Sequence, residues 1–325
     1  MKHISILVPQ GDCSVTNIEG THQIFSQVNS FLEQTGKQPA FKIQLVGLQA
    51  ETRMKKDLFS VHADVLISEK FHTDLIIIPA LQGNMEKQLD LNKEFIPWLI
   101  EKYKNGAEIA SLCIGSFLLA STGLLHGREC ATHWVAANDF RSMFPEVRLV
   151  TDKVITDDRG IYSSGGAYSS LNLILYLVEK YAGREIAILC SKIFQIEIDR
   201  NSQSPFMIFN VQKDHEDEPI KRAQQFIENN VSDKIAVDQL ASLISLSRRN
   251  LERRFKKATS NTVIEYIQRV KIEAAKKSLE TNRKNVNEVM YECGYSDNKA
   301  FRNIFKKITG LSPVDYKNRY NKQAV

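Results

Sequence analysis

At 325 residues with 43% apolar side chains, the chain is long enough to bury two ordinary cores. Its net charge of +5 is unevenly placed: residues 219–325 carry 22 Lys and Arg against 11 Asp and Glu, and residues 1–218 carry 21 against 27. That split excludes a uniformly basic protein and directs any polyanion to the C-terminal block.

In chain order, Ile4–Pro9, Phe41–Leu48 and Leu75–Pro79 are short continuous runs rich in Ile, Leu and Val. Runs of this kind suit strands covered on both faces, and the helical segments between them predict a parallel α/β sheet. Ala110-Ser111-Leu112-Cys113-Ile114-Gly115 then follows a predicted strand and opens a helix, so Cys113 sits at a strand-to-helix elbow. A thiolate there would lie near a helix N-terminus, whose dipole lowers its pKa. His133, in Ala131-Thr132-His133-Trp134, is a candidate base, and Ile161–Gly166 leads into an apolar helix over Ala167–Tyr181.

Acidic residues cluster in Lys213–Pro219, the stretch that reads as a linker (213–219) between a first domain over 1–212 and a second over 220–325. Beyond it the 3.6-residue period predicts helices over Pro219–Val231, Ala236–Ile244, Arg248–Ala258, Val263–Leu279, Val286–Cys293 and Lys299–Ile308. The second domain is therefore expected to be all-α.

That domain repeats itself. Phe255-Lys256-Lys257-Ala258-Thr259 returns as Phe305-Lys306-Lys307-Ile308-Thr309, and Tyr266 returns as Tyr316. Each copy reads helix, tight turn, helix, with Gly294 in the second turn and Ser245 in its place in the first. Ser247 and Ser296 are the expected N-caps of the second helices. Leu251 and Phe255, and likewise Phe301, Ile304, Phe305 and Ile308, fall on the inward faces. The outward faces supply the candidate DNA contacts: Ser247, Arg249, Asn250, Arg253, Lys256 and Lys257 in the first copy, and Asn298, Lys299, Arg302, Asn303 and Lys306 in the second. Arg and Asn pair bidentately with guanine and adenine edges, whereas Lys256, Lys257, Lys306 and Lys307 suit phosphates. One basic amphipathic helix is most often a solvated face; two copies matching in turn, cap, core and charge argue for double-stranded DNA as the partner.

The motifs Val237-x-x-Leu240-Ala241, Ser247-x-x-x-Leu251-x-x-x-Phe255-Lys256, Gly294-Tyr295-Ser296 and Gly310-Leu311-Ser312-Pro313-x-x-Tyr316 make residues 219–322 resemble the AraC/XylS DNA-binding domain. The resemblance implies two recognition helices, held by the Val263–Leu279 helix, in successive major grooves. Ser260 and Val263 depart from the Gly310 and Pro313 of the second copy.

The first domain, from Ile4–Pro9 to about Asn210, resembles the ThiJ/PfpI (class I amidotransferase-like) superfamily. It is closer to the GlxA-type regulator branch, through Phe117-Leu118-Leu119-Ala120-x-x-Gly123-Leu124-Leu125-x-Gly127 and Asp199-Arg200-x-x-Gln203. This implies a flavodoxin-like sheet with Cys113 at the elbow and His133 nearby. Catalytic members carry an acidic residue in the first loop, where the best register here puts Thr16 or Asn17; Glu19 substitutes only in a register shifted by two. Pro79-Ala80-Leu81 stands where two glycines usually follow proline and let N–H groups approach an oxyanion. The expectation is a regulator rather than an enzyme, with Cys113 and His133 as vestigial or redox-sensor residues. Asn17, Ala80, Leu81, Cys113, Ile114 and His133 would line a pocket for a small-molecule effector. The alternative is a cysteine-dependent hydrolase or amidotransferase with a DNA-targeting tail, and a third reading is a scaffold that only dimerises. A homodimer follows from the family resemblance alone.

The five cysteines, Cys13, Cys113, Cys130, Cys190 and Cys293, are odd in number and form no CxxC pair. That argues against a disulfide framework or zinc site and for a reducing compartment, with no metal or cofactor expected. Met1–Gln10 is too short an apolar run for a signal peptide, and Ile109–Leu125 falls short of the roughly 20 residues a membrane span needs. A soluble, cytoplasmic protein without membrane contact is expected.

Overall fold

The computed structural model describes residues 1–198, 200, 202–209, 213, 215–281 and 283–321. The chain forms two compact units, the first ending at Gln203 and the second beginning at Ser204.

The first unit is built on a seven-stranded sheet in the order Ile155–Asp158, Ile161–Ser164, Glu108–Leu112, Leu75–Ile78, Lys2–Val8, Phe41–Gly47, Val65–Leu66. Every pairing is parallel except that of Ile155–Asp158 with Ile161–Ser164. The three apolar runs are thus central strands, in register Ile4 with Ile43 and Leu75. Alternation divides their side chains between two cores. Ile4, Ile6 and Val8 join Phe25, Val28, Leu173 and Leu177 of the helices Val15–Gln34 and Ser170–Ala182. Leu7, Ile76 and Ile78 join Phe95, Leu99 and Phe117 on the other face. Helices on both faces explain why these strands read as continuous apolar runs. Among the described residues no helix is long and apolar enough to cross a membrane.

In the second unit seven helices are described: Glu218–Asn229, Val237–Leu243, Arg248–Thr259, Val263–Thr281, Val286–Glu292, Asn298–Thr309 and Pro313–Tyr320. The last is absent from the sequence-based expectation, because it is short and its outer face is polar. Its signals are the Ser312 cap, which accepts from Asp315 N, and Pro313 in the first turn. The repeat produces two cores. Ile220, Leu240, Leu251, Phe255 and Tyr266 form one; Ala275, Val289, Phe301, Phe305 and Tyr316 form the other. The long helix Val263–Thr281 contributes to both.

The division falls before the acidic stretch rather than within it. Ser204–Phe209 packs on the helical unit: Tyr320 Oη donates to the Pro205 carbonyl at 3.0 Å, Lys276 Nζ to the Met207 carbonyl at 2.6 Å, and Phe209 N to Glu273 at 3.1 Å. The described part of 213–219 is engaged there too, through Lys213–Glu228, His215–Gln224 and Asp217–Arg254. The apolar Pro205, Phe206, Met207 and Phe209 give this segment surface to bury, which acidity alone does not register. Asp199, Asn210 and Asp214, which the sequence reading used, lie outside the described residues.

Candidate functional site

The two second helices of the repeat begin and end alike. Ser245 and Gly294, in the turns, have φ of +55° and +70°; Ser260 and Gly310, just beyond the helices, have +56° and +75°. Both copies therefore adopt left-handed backbone at both hinges, and the first does so with serine, at a conformational cost of order 1 kcal/mol per position. Ser247 caps its helix, accepting from Asn250 N at 3.4 Å. In the second copy the cap is Asp297, accepting from Lys299 N at 2.8 Å and Ala300 N at 3.0 Å, and not Ser296 as expected. The helix starts one residue later, and a carboxylate is the stronger acceptor at a positive helix end.

Leu251, Phe255, Phe301 and Phe305 are fully buried, while Ile304 and Ile308 are half-buried. The opposite faces expose Arg249, Asn250, Arg253, Lys256, Lys257, Lys299, Arg302, Asn303, Lys306 and Lys307. Among the described residues, the structure gives none of these side chains a hydrogen bond or ion pair within the domain. Neighbouring cations behave differently. Arg248 pairs with Asp238 at 3.2 Å and Glu252 at 3.1 Å; Arg254 grips Asp217 with two bonds of 2.9 and 2.6 Å. Asn298 is half-buried and donates its amide to Asn287 at 2.7 Å. The unpaired set is thus the repeated outward face. In the first copy Arg249, Arg253, Lys256 and Lys257 also border a groove of about 670 Å³ against Thr262, Val263 and Ile264.

In the first unit, Glu108–Leu112 ends at Cys113, whose φ of +55° is the strained elbow. Gly115 is obligatory there, since a Cβ would lie 2.6 Å from the carbonyl oxygens of Ile78 and Pro79. The surroundings do not activate the thiol. Cys113 is buried, and burial pushes its pKa up to about 12, outweighing the Ile114 N–H that acts the other way. The direction is opposite to the lowering expected near a helix N-terminus, because the thiol loses its hydration on burial. His133 makes no described bond to Cys113; its Nδ1 accepts from Val135 N at 3.2 Å, and burial lowers its pKa.

Thr16 and Glu19 are exposed, and Asn17 is the inward residue. Its Oδ1 accepts the N–H of Ala80 at 3.1 Å, and its Nδ2 donates to Ser170 Oγ at 3.0 Å. Ala80 and Leu81 are buried, and Ser14 N donates to the Ala80 carbonyl at 2.8 Å. The Cys113 N–H faces Ser164 Oγ at 3.4 Å, and the Cys113 carbonyl accepts from Thr132 Oγ1 at 3.3 Å. Ile114 and His133, completing the six expected pocket residues, are half-buried. The N–H groups of Ala80 and Cys113 already have internal partners. Sequence reasoning missed Ser164, Ser170 and Thr132, which are ordinary serines and threonines until the fold brings them to the elbow. Gln203, last in the Asp199-Arg200-x-x-Gln203 motif, is buried and donates to the carbonyls of Thr132, Thr151 and Lys153.

Comparison with known proteins finds one family match within each unit. Residues 27–180 match the DJ-1/PfpI family and residues 240–319 a helix-turn-helix domain. The HTH-type transcriptional regulator GbdR of Pseudomonas aeruginosa is 27% identical over 244 residues, covering 72% of this chain and 64% of that protein. ArgR of the same species, also an HTH-type transcriptional regulator, is 27% identical over 217 residues, covering 66% of each. The chain thus spans just under two thirds of these relatives' own length. A crystal structure of a protein from Vibrio parahaemolyticus assigned as a transcriptional regulator superimposes with a TM-score of 0.52 at 25% identity, covering 59% of this chain and 98% of that one. The chain joins a DJ-1/PfpI domain of flavodoxin-like fold to a C-terminal helix-turn-helix domain of the AraC type.

Proposed function

We propose that the protein is a sequence-specific DNA-binding transcription regulator of the cytoplasm, with the N-terminal domain as its regulatory half. One observation carries the reading: the same helix face occurs twice, exposed and basic, its cations without an ion pair among the described residues while neighbouring Arg248 and Arg254 are neutralised within the domain. Exposed unpaired guanidinium and ammonium groups on the second helix of a helix-turn-helix are what phosphates and base edges require. The N-terminal domain acts as a non-enzymatic module, through homodimerisation or a small-molecule effector. Asn17 in place of an acid, a buried protonated Cys113 and a His133 turned to its own backbone all favour this over the hydrolase reading.

The test is selection of bound sequences from a random double-stranded DNA pool with the full chain. A motif in two parts, about one helical turn apart, is the expected result. Absence of salt-dependent binding overturns the proposal. Turnover of an amide or ester lost in Cys113→Ser would restore the enzyme reading.

A further inference from the structure

We infer that Lys271 is a positioning residue that sets the spacing of the two DNA half-sites, by locking one helix-turn-helix unit against the other. The inference rests on the DNA-binding reading above.

Lys271 lies on the long helix between Val270, which belongs to the first core, and Ile272, which belongs to the second. It is buried at 6% exposure. An ammonium has three donors, and all three are used. Nζ donates to the carbonyls of Val231 and Asp233 at 2.8 Å each, and to the carbonyl of Cys293 at 2.9 Å. The first two lie in the loop ahead of the first helix-turn-helix; the third lies in the turn of the second. The turn is pressed close: a Cβ on Gly294 would run into the Ser232 carbonyl oxygen and Lys271 Nζ. The Tyr295 ring lies 5.6 Å from the same ammonium. Burial lowers the pKa of Lys271, so the charge is kept at a cost that an apolar residue would avoid.

A seam held by three converging bonds has one geometry, whereas apolar contacts alone tolerate sliding. Fixing the seam fixes the offset between the recognition helices Arg248–Thr259 and Asn298–Thr309, and hence the number of base pairs between half-sites.

The experiment compares the full-length parent and Lys271→Met on the site selected by the parent and on variants with one or two base pairs inserted or removed between its halves. The parent is expected to favour one spacing by roughly tenfold or more, the scale of a single poor contact. Lys271→Met should keep base preference within each half while that preference for spacing falls to about twofold or less. Equal weakening at every spacing means a merely structural role and overturns the inference, as does an unchanged spacing profile. Should Lys271→Met not fold, Lys271→Arg takes the same test, since a planar guanidinium cannot converge three bonds on one point. Selection of a one-part site by the parent overturns the spacing inference alone, whereas absence of salt-dependent binding overturns the DNA-binding reading itself, so the two failures are distinguishable.

Discussion

Asn17 Oδ1 accepts the backbone N–H of Ala80 at 3.1 Å while its amide donates to Ser170 Oγ at 3.0 Å. This single side chain ties the first helix to the loop after the Leu75–Ile78 strand and to the start of the Ser170–Ala182 helix. Its two bonds give this buried amide a structural part at the head of the sheet.

Removing it should therefore show in stability. Asn17→Ala leaves a buried N–H without its partner and should cost about 1–3 kcal/mol. Trp98 and Trp134 are the two tryptophans of the chain and both lie in this domain, so their emission during urea unfolding reports it alone. A change under about 0.5 kcal/mol, the range of an ordinary surface substitution, would count against the assignment.

The buried thiols give a pH prediction. Burial raises the pKa of Cys13, Cys113 and Cys130 from 9.0 to about 12. Each folded-state value lies above the unfolded one, so the stabilisation is whole below pH 9 and is lost as pH rises toward 12. At pH 8 a disulfide reagent should label native protein slowly, then titrate five thiols once it unfolds. Rapid labelling of one thiol, abolished by Cys113→Ser, would instead mark a redox sensor.

Arg253 and Arg254 are adjacent and should behave oppositely. Arg253→Ala is expected to weaken binding by about 1–3 kcal/mol and to relax preference at one base pair. Arg254→Ala should leave sequence preference intact and lower the urea midpoint of the helical domain through loss of its two bonds to Asp217. Those bonds hold the Asp217 carboxyl below its usual range, so their stabilisation is present above the ordinary carboxylate pKa and fades as pH falls through the lowered one. Acid unfolding of Arg254→Ala should lack that component. Binding-site selection and urea unfolding on both variants decide the matter.

Lys306→Ala should weaken binding about equally on every sequence and reduce the slope of log affinity against log salt by about 0.9, one phosphate contact. An unchanged slope would remove Lys306 from the phosphate face.

The repeat, the paired cores and the basic outward faces were legible in the sequence because helical periodicity and turn chemistry are local. Val237, Leu251, Phe255 and their counterparts declare their faces within a dozen residues. The cap of the second recognition helix is not legible in this way, since Ser296 and Asp297 are both good caps and only the helix start chooses Asp297. The charges of 213–219 are conspicuous in the sequence, whereas the packing of Pro205 to Phe209 on the helical unit is visible only in the structure.

What the sequence by itself determined is which residues are apolar, which are basic and at what period they recur, and from these follow two domains and two helix-turn-helix units. Only the tertiary structure decided which charges are already spent. Arg254 meets Asp217 from 37 residues away, Asn17 meets Ser170 from 153, and Lys271 gathers carbonyls 22 to 40 residues distant. Partners at such separations are brought together by the packing of whole elements, and no local pattern along the chain encodes them.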